Sequence, residues 1–183
     1  MIKYDLLVIG FGKAGKTLAA TFGNEGKKVA VVEESSEMYG GTCINIGCIP
    51  TKTLIVAADN KKDFKEAKAT RDTVVSKLNA KNFAMLDNNP NIDVYTASAK
   101  FVSNKVVEIL IDGETKQLEG DVVIINTGAK NNVLPIPGLT TSKNVYDSTQ
   151  FQKLESTPKT LGIIGGGNIG IEFANLYARF GVD

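Results

Sequence analysis

The chain has no histidine. Any acid–base step that needs an imidazole must therefore draw it from elsewhere. It has only two cysteines, Cys43 and Cys48. A zinc site takes about four ligands, so two cysteines without histidine fall short of one. Charge of one sign is missing too: 21 Lys and Arg against 20 Asp and Glu leave a net charge of +1. That balance argues against a nucleic-acid or anionic-membrane partner. Long apolar runs are missing as well; stretches such as Leu6–Gly10 and Val122–Ile125 are far too short to span a bilayer. The start, Met1-Ile2-Lys3-Tyr4-Asp5, carries an acid where a signal peptide needs an apolar run. These absences predict a cytoplasmic protein, in which a lasting disulfide is more often catalytic than structural. What is present, 43% hydrophobic and 22% charged residues, suffices for a packed core. A length of 183 residues fits one domain, or one and part of a second.

Tyr4–Ile9 is a short apolar run with β-branched residues and reads as a buried parallel strand. Gly10-Phe11-Gly12-Lys13-Ala14-Gly15 follows with Gly-x-Gly-x-x-Gly spacing. Gly10 allows the tight turn, Gly12 lets backbone approach a pyrophosphate, and Gly15 lets helix pack on strand. A helix from about Lys13 to Asn24 aims its positive N-terminus at the phosphates. Gly26 closes it, and Val29–Val32 forms a second strand ending in Glu33. That carboxylate stands 18 residues after Gly15, placed to accept hydrogen bonds from ribose hydroxyls. The alternative, a glycine turn without a ligand, is weakened by strand, motif, helix, strand and acid arriving in order.

A few residues later comes Gly40-Gly41-Thr42-Cys43-Ile44-Asn45-Ile46-Gly47-Cys48-Ile49-Pro50-Thr51-Lys52. A dithiol beside a bound nucleotide cofactor reads as an electron relay. On an ideal helix, five residues turn through about 500°, which leaves the cysteines about 140° apart and too distant to bridge. A disulfide here must tighten or distort the first helical turns, and such strain makes it easier to reduce. Thr42 or Cys43 starts the helix, whose dipole favours thiolate, and Lys52 adds a cation. A structural staple and two unreactive core thiols stay open; so short a loop would gain only roughly 2 kcal/mol from closure.

Thr51 to about Asn60 and Phe64 to about Leu86 read as helices, the second with Val74, Val75, Leu78, Phe83 and Leu86 at helical spacing. The mixed charges of Lys61–Lys68 read as a solvated face. From Ile92 the pattern becomes β: Asp93–Ala97, Ala99–Val102, Val106–Ile111, a hairpin at Asp112-Gly113, Lys116–Leu118 and Asp121–Asn126. Ser148–Pro158 reads as a linker and Thr160–Ile164 as a new strand before Gly165-Gly166-Gly167-Asn168-Ile169-Gly170 and a helix to about Phe180. Sliding the first unit by 155 places Gly10, Gly12, Gly15, Ala19 and Gly26 on Gly165, Gly167, Gly170, Ala174 and Gly181. This internal repeat predicts a second dinucleotide site. The counterpart of Glu33, which tells NAD from NADP, would fall five residues beyond Asp183. The expectation is an N-terminal fragment of a longer enzyme.

Two dinucleotide units flanking a Cys-x₄-Cys helix resemble the flavoprotein disulfide reductases of the pyridine nucleotide type, over the whole chain. These include dihydrolipoamide dehydrogenase, glutathione reductase and mercuric reductase. Ile9–Thr17, Met38-Tyr39-Gly40-Gly41, Asn126-Thr127-Gly128-Ala129 and Pro135-Ile136-Pro137-Gly138 further resemble the subgroup protecting bacteria from reactive chlorine species, including hypothiocyanous acid reductases. Thr51 stands where dihydrolipoamide dehydrogenase more often has Ser, and Asn168 where glutathione reductase has an aromatic.

The resemblance implies an α/β fold class: a Rossmann-like FAD-binding domain with a β-meander insertion over residues 1–150, then the first β-α of a Rossmann-like NAD(P)-binding domain over 151–183. FAD would lie on Gly10, Gly12, Ala14, Gly15, Glu33 and Glu34, with Gly41, Thr42, Lys52, Ala99, Thr127 and Gly128 along it. NAD or NADP would lie on Gly165, Gly167, Asn168 and Gly170. Cys48 would be the thiolate in charge transfer with the flavin and Cys43 the interchange thiol; Lys52 would pair with Glu172. Electrons would pass from NAD(P)H through FAD to the Cys43–Cys48 disulfide and on to an oxidant, hypothiocyanous acid or a related chlorine species. The family's general base is a histidine from a C-terminal interface domain across a homodimer, so residues 1–183 alone are expected to be inactive. Partners would be a small-molecule oxidant or disulfide. The rivals are dihydrolipoamide dehydrogenase, glutathione or mercuric reductase, and, from another class, a non-catalytic flavin or redox-sensing module.

Overall fold

Ile2–Ile9 forms strand β1, whose residues alternate between two buried faces. Leu7 and Ile9 enter one core with Tyr4, Ala30, Val32, Val107, Ile109 and Leu118. Leu6 and Val8 enter the other with Phe11, Ala19, Val29, Val31, Leu86 and Ile92. Burial on both faces is why this strand reads as a continuous apolar run. Each fully buried Leu, Ile or Val contributes roughly 1.5–3 kcal/mol. The computed structural model describes all 183 residues. They fall into two compact units, residues 1–45 with 75–128 and residues 46–74 with 129–183.

The first unit holds the sheet. After β1 come helix α1 (Lys13–Asn24), β2 (Val29–Glu33), a 3-10 turn at Ser36–Met38 and the single helical turn α2 (Thr42–Asn45). Later come β3 (Ile92–Thr96), β4 (Ala99–Ser103), β5 (Val106–Ile111) and β6 (Glu114–Ile125). The six strands run in the order β3-β2-β1-β6-β5-β4. β1 is parallel to β2 and β6, and β2 to β3, whereas β4, β5 and β6 form an antiparallel meander. Small Ala30 on β2 lets the Tyr4 hydroxyl reach past it to Asp93 Oδ2 and Tyr95 Oη, each at 2.7 Å.

β6 corrects the expectation of two strands at Lys116–Leu118 and Asp121–Asn126. It is one strand, because pairing never lapses: Glu114–Glu119 pairs with β5, and Leu118 onward pairs with β1. Gly120, at the crossover, faces Leu7 so closely that a Cβ there would lie 2.6 Å from the Leu7 Cβ.

The second unit is helical. It contains α3 (Cys48–Asp59), residues 64–74 of α4 (Phe64–Asp87), α5 (Ser148–Phe151) and α6 (Asn168–Arg179). Its core gathers Leu54, Ala57, Ala67, Phe151, Phe173, Leu176, Tyr177 and Val182. Phe151 and Tyr177 meet edge to face at 4.7 Å and 73°. The linker expected at Ser148–Pro158 opens instead with α5. Asp147 and Gln150 form a reciprocal capping box there, and Phe151 is buried. The strand expected at Thr160–Ile164 does not form. A strand needs a laterally bonded neighbour, and this segment's backbone pairs only at its base, Leu161 N with Asp183 O. α3 begins at Cys48, three residues before the expected Thr51. No helix is long and apolar enough to cross a membrane.

Candidate functional site

In the first unit, β2 lies on one side of β1 and β6 on the other. The carboxyl end of β1 is therefore a topological switch point, where open α/β sheets form their ligand crevice. Gly10 turns the chain there at φ +98°, and a Cβ on it would run into the Asn126 carbonyl oxygen. A Cβ on Gly12 would lie 2.6 Å from Asn126 Nδ2, and one on Gly15 2.6 Å from Val8 Cγ1. Gly41 has φ +77°, and its Cβ would sit 2.7 Å from the Gly12 Cα. Two backbone segments thus meet at a distance only glycine permits.

The N-terminus of α1 has no side-chain cap and no acid in its first turn, where Ala14 is exposed. Its free N–H groups and dipole favour an anion. Glu33 is fixed at the end of β2: Oε2 accepts from Phe11 N at 2.8 Å and Oε1 from Ser35 N at 3.2 Å. It thereby braces the loop that follows β1. Glu34 is exposed and accepts from the Ser98 hydroxyl at 3.4 Å, next to Ala99 at the start of β4. Thr127 and Gly128 are exposed beyond β6, with Gly128 at φ +77° and Thr42 Oγ1 4.0 Å from the place of its Cβ. Sequence reasoning passed over Asn126. Its N donates to Ile9 O at 2.7 Å, and its side chain fills the space behind Gly12 and Gly15. A polar residue ending a buried strand was the available signal. The glycine cradle, uncapped helix and oriented carboxylate fit the pyrophosphate and ribose of a dinucleotide such as FAD.

Cys43, half-buried, sits on α2 in the first unit. Asn45 secures this turn by donating from Nδ2 to Tyr39 O at 3.0 Å and Gly41 O at 2.9 Å. Asn79 on α4 donates to Asn45 Oδ1 at 3.0 Å and Ser36 O at 3.1 Å. Lys16 on α1 donates to Asn82 Oδ1. Burial holds its pKa below the usual lysine value and neighbouring Lys13 pushes the same way, while the charge of Cys43 acts in the opposite sense.

In the second unit, Cys48 is exposed at the first position of α3. Gly47 breaks the helix before it with φ −121°, ψ −104°. No single helix runs through the two cysteines, which removes the obstacle that an ideal helix would pose. Thr51 Oγ1 donates to Gly47 O at 2.9 Å and Gln152 Nε2 to Ile46 O at 3.3 Å, holding the break. Arg71 Nη1 in turn donates to Gln152 O at 2.8 Å. Lys52, one turn into α3, forms an ion pair with Glu172 of α6. The second glycine loop repeats the first: Gly165 is at φ +111°, a Cβ on Gly170 would strike the Gly165 carbonyl, and Gly167 caps α6 without a side-chain bond. Asn168 is the first residue of that helix. Neither Gly166 nor Gly167 has an atom within 4 Å of where a Cβ would stand.

The family model for pyridine nucleotide-disulphide oxidoreductases matches residues 4–183. The chain is 50% identical over 181 residues to the probable pyridine nucleotide-disulfide oxidoreductase RclA of Escherichia coli K12, covering 99% of this chain and 41% of that protein. It is 34% identical over 199 residues to the dihydrolipoyl dehydrogenase of Bacillus subtilis, with 100% and 41% covered. A solved Cu(II) complex of the HOCl-induced flavoprotein disulfide reductase RclA from Escherichia coli superposes with a TM-score of 0.96 at 49% identity, covering 100% of this chain and 42% of that one. The chain spans about two fifths of the length of these relatives. Switch-point cradle, repeated glycine loop and matching sequence agree, and the chain belongs to the pyridine nucleotide-disulphide oxidoreductases, flavoenzymes that use FAD and NAD(P)H.

Proposed function

We propose that this chain is the FAD-binding and dithiol-bearing part, residues 1–150, and the opening of the NAD(P)-binding part, residues 151–183, of a cytoplasmic, homodimeric reductase of reactive chlorine species. The observation that carries this is the pair of helix-terminal thiols, Cys43 and Cys48, separated by the Gly47 break and following a dinucleotide cradle. Gly10, Gly12, Ala14, Gly15, Glu33, Glu34, Gly41, Thr42, Ala99, Thr127 and Gly128 would hold FAD. Gly165, Gly167, Asn168 and Gly170 would hold the nicotinamide cofactor. When bound, FAD supplies a two-electron link between the nicotinamide and the dithiol.

The protein's own steps are those of the thiols. Hypothiocyanous acid, HOSCN, is attacked at sulfur by the Cys43 thiolate; a Cys43 S–SCN bond forms and hydroxide leaves. The Cys48 thiolate then attacks the Cys43 sulfur, the disulfide forms and thiocyanate departs. The oxidant gains two electrons and the dithiol loses two. Lys52 and Glu172 form the ion pair beside α3, which keeps a fixed cation one turn from Cys48. The 50% identity to RclA, whose structural relative is described as HOCl-induced, supports this branch over the 34% identical dihydrolipoyl dehydrogenase.

The test follows NADH and NADPH oxidation by the intact flavoenzyme with hypothiocyanous acid, oxidised lipoamide, glutathione disulfide and Hg(II) in parallel. We expect fast turnover with hypothiocyanous acid, falling about a thousandfold or more in Cys43→Ser. Cys48→Ser should abolish the long-wavelength flavin–thiolate band, which Cys43→Ser keeps. Preference for lipoamide would move the protein to the dehydrogenase branch. Reversible thiol oxidation without steady turnover would make it a sensor.

A further inference from the structure

Helices α3 and α6 share the core of the second unit, Leu54 and Ala57 of the first joining Phe173 and Leu176 of the second. Hydrophobic burial is non-directional, so it holds two helices together better than it fixes how far one has slid along the other. The seam is also incompletely filled: a cavity of about 360 Å³ opens along it, lined by Ile55 of α3 and by Glu172, Asn175 and Arg179 of α6. Two ion pairs cross the seam, Lys52 with Glu172 and Asp59 with Arg179. In each the partners stand 120 positions apart, so the helices run parallel, and one pair follows the other by seven positions. Their polarity is reversed. Sliding α6 by one heptad would set Lys52 against Arg179 in one direction and Asp59 against Glu172 in the other, like charge on like. Asp59 is the last residue of α3, where the helix dipole disfavours a carboxylate. Its partner is held ready, Arg179 Nε donating to Asn175 Oδ1 at 2.7 Å one turn back on α6. An acid kept against the preference of its own helix, facing an oriented guanidinium, serves the pairing rather than either helix.

We propose that the Asp59–Arg179 pair sets the register of the dithiol helix α3 against α6, which makes Asp59 and Arg179 positioning residues for Cys48. The inference rests on the reading above, in which Cys48 is the thiolate in charge transfer with the flavin and the loop before α6 takes the nicotinamide cofactor. Both helices are 12 residues long. Under the same offset Cys48, the first residue of α3, comes level with Asn168, the first of α6. The two functional ends thus lie at one end of the seam and the Asp59–Arg179 pair closes the other. Lys52 with Glu172 alone would leave the helices free to pivot; the second pair removes that freedom. Its side chains are 41% and 55% exposed, so it contributes little to folding and its weight falls on register. Each residue of slip would carry Cys48 about 1.5 Å along the seam, and misplacement by about 1 Å can slow a reaction about a hundredfold.

The test reads the seam and the site separately in the intact flavoenzyme. Nitroxides on Val56→Cys and Ala174→Cys, both exposed positions, report the separation of the helices by dipolar broadening in a Cys43→Ser/Cys48→Ser background. Asp59→Arg sets like charge against Arg179 and should shift that separation by about 1.5 Å or more, and the swap Asp59→Arg/Arg179→Asp should return it. With the native cysteines, Asp59→Arg should slow reduction of the bound flavin by NAD(P)H about tenfold and weaken the long-wavelength flavin–thiolate band. The swap should restore both. Should Asp59→Arg fail to fold, Asp59→Asn and Arg179→Gln remove the attraction without adding repulsion and should slow the same step about threefold. A merely structural pair would alter thermal stability or flavin content and leave the separation, and the rate and band per bound flavin, as they were; that result would overturn the inference. Absence of the band from the unaltered enzyme would defeat the functional reading and this one with it. A normal band that none of these variants moves would defeat only the role in register.

Discussion

Single side chains in this protein carry costs that substitution can relieve. The Tyr177 hydroxyl is buried in the second unit without a hydrogen-bond partner. Burial pushes its pKa up from 10.0 to about 12, with the Arg71 charge pulling the other way. Because the folded value is raised, this contribution to stability is fully present below pH 10 and is lost as the pH climbs through about 12. Tyr177→Phe removes an unsatisfied buried group and keeps the ring contacts with Phe151 and Phe64. We expect the variant to be about 1 kcal/mol more stable at pH 7 and to lose less stability between pH 10 and 12, read from urea midpoints at each pH. The residues that sequence reasoning missed are of this same kind. Asn82, Arg71 and Gln152 are polar groups buried by tertiary neighbours. Arg71 bonds to Gln152, 81 positions away, and Gln152 to Ile46, 106 positions away, so no local pattern announces them.

At the scale of elements, legibility follows whether the forces are local. Helix Lys13–Asn24 and strand Val106–Ile111 stand where the sequence predicts, because spacing, glycine punctuation and β-branching all act within a dozen residues. β6 does not, because its continuity comes from two different neighbours, β5 and β1. Thr160–Ile164 has the composition of a strand and lacks the lateral partner that would make it one. Of the candidate site, the glycines and cysteines were legible as spacing. The helix break at Gly47 and the bracing of Glu33 by Phe11 were not. Gly41 tests the cradle directly. Alanine there must adopt φ +77° and push its Cβ toward the Gly12 Cα. We expect Gly41→Ala to cost about 2 kcal/mol or more and to lower flavin content after gel filtration. Full flavin occupancy in that variant would mean that the two glycine segments part without consequence.

At the scale of the molecule, two units with separate cores share one chain. Leu176, fully buried among Phe173, Tyr177 and Leu54, anchors the second core. Leu176→Ala should destabilise that unit by roughly 2–5 kcal/mol, seen as early loss of amide protection in α3 and α6. Protection in β1 and β2, whose buried residues belong to other clusters, reports the first unit separately. The pairing of β1 with β6 has a further consequence for how this protein is made. Ile2 pairs with Leu118, so one flank of β1 waits for chain synthesised 116 residues later. At 5–20 residues per second that interval lasts roughly 6 to 23 s. Through it, an apolar strand with an open hydrogen-bonding edge is exposed on the ribosome, so nascent-chain holdases have a defined window and a defined strand to guard.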